Sequence, residues 1–135
     1  MSETPASDLK ERIDTIEEAY ELFLAYAAQG RERDDESEAG GVRAFLGKAI
    51  GALDGLHGAA IEAAGNASQG AREWASYLEI VKDDAARAKT LLEFAAAQPF
   101  LSSELIDNLN ATNHVRTLLT DVFLLDSALD ANAGA

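Results

Sequence analysis

The chain has 135 residues, 47% of them apolar and 26% charged, with a formal net charge of −13 and no cysteine. That length and balance describe one globular domain with one core, and the missing thiols exclude disulfides, thiolate catalysis and cysteine metal sites. The acidic field disfavours nucleic acid and anionic membranes as partners, and no uncharged apolar run approaches the ~20 residues of a membrane span.

The opening residues, 1–7, read as a flexible tail. "MSETPASD" lacks the basic and apolar parts of a signal peptide, so a cytoplasmic setting is expected. A first helix is predicted over 8–29, with Ser7 as its N-cap and Gly30 just past its end. Leu9, Ile13, Ile16, Tyr20, Phe23 and Ala27 recur at spacings of four and three, the stripe of a helix packing at a shallow angle. The stretch "GRERDDESEAGG" follows as a charged, mobile loop. Twelve acids against four bases in residues 1 to 38 give −8 of the −13. This segment reads either as a solvated surface or as an acidic face for a basic partner.

A second helix is predicted over 38–64 and a third over 67–98. Asn66 with Gln69 resembles a capping box at the start of the third, and Pro99 ends it. Trp74, Leu78, Val81, Ala85, Ala88 and Leu92 form its apolar stripe. A fourth helix, capped by Ser102 or Ser103, is predicted over 103–128, with 131–135 as a flexible tail. Nothing alternates like a strand. Short links between helices two to four make neighbours antiparallel. The expected fold is all-α: a single domain over 8–130, an up-down-up-down four-helix bundle that associates as a dimer.

Two features point to association. Gly47, Gly51, Gly55 and Gly58 crowd the second helix, where each costs about 1 kcal/mol relative to alanine. On a helical wheel they share an arc of about 80°, almost opposite Phe45, Leu46, Ile50, Leu53 and Leu56. They are therefore not there for packing inside the bundle, and a second helix approaching the bare strip would offset their cost through close contact. The fourth helix carries Leu118, Leu119, Val122, Phe123, Leu124, Leu125 and Leu129. So wide an apolar surface calls for cover on more than one side, with Leu118, Leu124 and Leu125 as the contact residues.

The polar residues His57, Asn108 and Thr112 fall within the apolar arcs of their helices. They read as a buried network fixing helix register or, together with Asp54, as the lining of a ligand pocket. Asp54-x-x-His57 is half of a carboxylate-bridged two-metal pattern. The other half is missing, because Ala111 stands three residues before His114. No metal or cofactor is therefore expected. No Gly-x-Ser-x-Gly elbow, phosphate loop or dinucleotide fingerprint occurs, and no catalytic residue is assigned. The expected role is that of a non-catalytic, protein-binding accessory or assembly protein acting through helix–helix contacts, with itself or another protein as partner. The alternative is a small-molecule- or metal-binding bundle built on the four polar residues.

Overall fold

The computed structural model describes residues 4–35, 41–65 and 70–133. Among them are six helices and no strand. The fold is all-α as expected, but it is not a bundle of four helices, because two of the four expected rods are broken.

The first helix, α1 (Pro5–Ala27), starts three residues earlier than expected. Thr4, not Ser7, is the N-cap, and its hydroxyl oxygen accepts from the Ser7 N–H at 3.1 Å. Pro5 then stands in the first turn, where its fixed φ fits and its missing N–H costs nothing. Leu9, Ile13, Ile16 and Phe23 of the predicted stripe are buried, with Ala19 and Tyr26 beside them.

The expected second rod divides into α2 (Val42–Leu53) and α3 (Leu56–Ala64). The break is at Asp54–Gly55, where Gly55 adopts φ 141° and ψ 0°, a conformation open only to glycine. The last carbonyls of α2 lose their helical donors there. Arg12 supplies them, donating to the carbonyls of Ala52 at 3.1 Å and Gly51 at 3.4 Å. The expected helix start at residue 38 and the Asn66–Gln69 cap lie outside the described residues.

The third rod is intact as α4 (Ala71–Ala96), and it stops short of Pro99. The fourth divides into α5 (Ser103–Ala111) and α6 (His114–Ala133). Ser102 caps α5, accepting from the Leu105 N–H at 3.0 Å. Asn113 separates the two at φ 63°, the only described non-glycine residue with positive φ. Asparagine tolerates that conformation better than most residues.

The two unbroken helices, α1 and α4, each pack against α2, α3, α5 and α6. Phe23, Ile16, Leu46, Leu56, Val81, Leu92, Ile106, Leu118 and Val122 fill the space between them, fully buried. Each such side chain stabilises the fold by about 1.5–3 kcal/mol through removal from water.

The charged stretch after α1 is not free over its described part. The side chain of Asp34 is only 5% exposed. It accepts from Arg43 Nε at 2.8 Å and from the Leu101 N–H at 2.8 Å. Arg43 also donates to the carbonyls of Ala96 and Gln98, at 2.9 and 3.2 Å. Beside this hub the buried Ser103 hydroxyl donates to the Tyr26 carbonyl and accepts from the Arg31 N–H. One cluster thereby ties together the end of α1, the start of α2 and the link between α4 and α5.

Candidate functional site

The four glycines face outward, as the wheel predicts, but they are not equivalent. Gly47, Gly51 and Gly58 have open space where a Cβ would stand. Gly55 carries the positive φ of the helix break, and a Cβ there would lie 3.1 Å from the Arg12 guanidinium. Gly47 and Gly51 lie on α2 and Gly58 on α3, past the break, each bare; the fourth is needed by the backbone.

On α6 the proposed contact patch needs correction. Leu118 and Leu125 are fully buried in the core of their own chain, and only Leu124 stands outside, 59% exposed. The wide apolar surface of this helix is a core stripe with Leu124 on one flank and Phe123, also exposed, on the other.

Asp54, His57, Asn108 and Thr112 do not converge. Asp54 sits at the break between α2 and α3, exposed, with its carboxylate 2.9 Å from Lys89 Nζ. This ion pair lowers the pKa of Asp54 and raises that of Lys89. His57 is half-buried on α3. Asn108 on α5 and Thr112 at its C-cap are exposed, and the Thr112 hydroxyl donates to the Leu109 carbonyl at 2.7 Å. No hydrogen bond joins His57 to either. The buried network fails because α5 is a separate short helix whose inner arc is Ser103, Ile106 and Leu109, which turns Asn108 outward. Among the described residues, no three histidine or acidic side chains are grouped so that they could hold a metal ion, and no helix is long and apolar enough to cross a membrane.

Asn108 and Thr112 do share a cleft. It lies between α4 and α5, has a volume of about 420 Å³, and is walled chiefly by Leu91, Phe94, Leu105 and Leu109. Phe94 is 66% exposed, the most exposed large apolar side chain among the described residues. A second groove of about 280 Å³ runs between α4 and α6, lined by Glu73, Trp74, Tyr77, Leu124 and Ala128 among others. Both open along the seam between α4 and the α5–α6 pair. Ile80, three residues after Tyr77 and so on the same flank of α4, is also half exposed.

Beside the second groove lies a polar group that sequence reasoning passed over. The Tyr77 hydroxyl donates to the main-chain carbonyl of Asp121 at 2.7 Å. The Oδ2 of Asp121 is sealed from solvent with no hydrogen-bond partner. Burial, then the neighbouring Asp84, pushes the Asp121 carboxyl up to about 7. Burial, helped by the same two carboxyls, pushes Tyr77 up as well.

No protein-family model, curated protein or solved structure matches the chain.

Proposed function

We propose that this chain is a non-catalytic, protein-binding accessory or assembly protein that works through helix–helix contacts, in a cytoplasmic setting and with a second copy of itself as first partner. The observation that carries this reading is the apolar seam along α4, where Phe94, Ile80 and Leu124 stand half or more exposed beside two open grooves. Water-exposed apolar surface of this kind is characteristic of interaction sites, and a groove between helices suits the apolar face of another helix. The bare surface at Gly47, Gly51 and Gly58 is a second place where a partner backbone would come close.

Sedimentation equilibrium across micromolar to millimolar concentration tests the reading. A dimer is expected, dispersed by Phe94→Glu or Leu124→Glu with the helical signal retained. Two copies of a −13 chain repel, so added salt should strengthen the dimer, whereas a basic partner on an acidic face would be released by salt. Gly47→Leu with Gly51→Leu tests the strip separately. Both positions have open space, so the pair raises the stability of a monomer and weakens a dimer that packs there. A wild-type monomer throughout the range removes self-association.

The cleft between α4 and α5 favours one other reading. Its volume of about 420 Å³ falls within that of small-molecule sites, which are mostly apolar with a few polar groups. Asn108 and Thr112 would supply those groups. Ligand-induced thermal stabilisation abolished by Leu105→Glu, with a monomer in sedimentation, would favour it over the protein-binding role.

A further inference from the structure

On α4, Val81, Ala85, Ala88, Leu92 and Ala95 face the core. A second stripe lies about a quarter turn away, toward the seam with α5 and α6. Its members Tyr77, Ile80, Asp84, Arg87, Leu91 and Phe94 recur at spacings of three and four, the heptad pattern of a helix that packs lengthwise on another. Tyr77, Asp84 and Leu91 are half-buried along the seam, whereas Ile80, Arg87 and Phe94, one heptad apart, are exposed. The stripe complements its own reverse. At its middle stand one acid and one base, Asp84 with its side chain 19% exposed and Arg87 with its side chain 60% exposed, 3.4 Å apart. Phe94 projects near one end. Near the other, about 30 Å along the helix, opens the groove lined by Trp74 and Leu124.

We propose, on the footing of the self-association put forward above, that two copies join through antiparallel α4 helices about a two-fold axis at Asp84. A two-fold interface uses one patch twice, so every contact made in one direction is made in the other. In this register Phe94 lies level with the partner's Trp74 and enters the groove beside it, while its own groove receives the partner's Phe94. One register therefore fills both grooves. Leu91 lies against the partner's Tyr77, and the stem of Arg87 lies beside the partner's Ile80. Each Asp84 then stands between its own Arg87 and the partner's Arg87. Two acids and two bases alternate there without net charge, a centre on which two chains of −13 each can meet. A parallel pair would instead set Arg87 level with the partner's Arg87 and leave both grooves without a ring. Reversal keeps the two guanidinium groups about 9 Å apart along the axis.

The chain has no cysteine, so a spin label can be set at one chosen position. Labels on full-length Ala86→Cys and Arg72→Cys, both exposed sites on α4, read the register as label-to-label distances. The expected offsets along the axis between the two copies are about 6 Å at residue 86 and about 36 Å at residue 72. Trp74, the only tryptophan, should shift its emission to the blue as concentration rises and the partner's Phe94 covers it. Phe94→Ala should abolish that shift. Arg87→Glu leaves four facing acids and should weaken the dimer by at least about tenfold, and mixing it with Asp84→Arg should restore association between the two variants. The label distances decide should Asp84→Arg fail to fold. A wild-type monomer in sedimentation removes self-association and this arrangement together. A dimer with equal distances at the two positions, or with the residue 86 pair the farther apart, removes the arrangement and leaves self-association standing. The same follows from an Arg87→Glu dimer as tight as the wild type, or from Trp74 emission that does not move as the dimer forms.

Discussion

Asp34 and Asp121 are both carboxyl groups drawn in against packed helices, and their surroundings push them in opposite directions. Asp34 accepts from Arg43 and from the Leu101 N–H, and the Arg43 hydrogen bond holds its pKa below the usual carboxylate range. Asp121 meets no donor at Oδ2 and has an acidic neighbour, so its carboxyl holds a proton up to about pH 7. Burial by itself raises the pKa of a carboxyl. At Asp34 the bound partners win; at Asp121 nothing opposes the cost. The hub that closes one end of the molecule is therefore built on a charge, and the α4–α6 seam on its absence.

The largest break in this comparison comes from removing Arg43. Arg43→Ala leaves Asp34 nearly buried without its cation and strips donors from the Ala96 and Gln98 carbonyls. Losing one member of a buried pair costs about 3–5 kcal/mol. Arg43 is partly open to solvent, so about 2–4 kcal/mol is expected at pH 7 by urea denaturation. A loss below about 0.5 kcal/mol, the scatter of an ordinary surface substitution, would mean the hub contributes little.

The pH dependence sharpens the comparison, because the two acids act with opposite sign. Asp34 has a folded pKa below its unfolded value, so its stabilisation is present above about pH 4 and is lost as pH falls through the folded pKa. Asp121 has a folded pKa raised to about 7. Its contribution is complete below the unfolded value of about 4 and declines as pH rises through the folded one. Wild-type stability should therefore fall on both sides of a maximum at about pH 4–5. Asp121→Asn should flatten the alkaline side, gaining about 1–2 kcal/mol at pH 8 after allowance for solvent screening, with little effect at pH 4. An unchanged slope in that variant assigns the alkaline loss to other groups.

The apolar stripes were legible in the sequence because helical packing repeats along one element: Leu9, Ile13, Ile16 and Phe23 are buried where the spacing places them. The breaks were not. Leu53 and Leu56 keep a helical spacing of three across Gly55, so periodicity runs on through a point where the backbone does not. Gly55 was read with its neighbours as one strip, although its role is its own φ. Asn113 did carry a signal, since asparagine is a frequent helix terminator, but the flanking apolar residues outweighed it. On a helical wheel Leu124 falls outside the arc of its apolar neighbours, whereas Leu118 and Leu125 fall inside it and belong to the core. The Asp84–Asp121 pair depends on the register of α4 against α6. That register lies in no local pattern, and 24 acidic residues offer many chance pairs.

The smallest effect tests whether the seam depends on the acid pair alone or also on the tyrosine that buttresses it. Tyr77→Phe keeps the ring in the groove and removes only the hydroxyl that donates to the Asp121 carbonyl. That carbonyl belongs to the helical backbone of α6, so it keeps a partner, and the loss should be about 0.5–1.5 kcal/mol at any pH below the tyrosine's own raised ionisation. Unlike Asp121→Asn, this variant removes no titrating group from the interval between pH 4 and 8, so its stability curve should run parallel to the wild type. A curve that crosses the wild type would show that the hydroxyl helps set the Asp121 proton, and the seam would then respond to pH as a three-membered group rather than a pair.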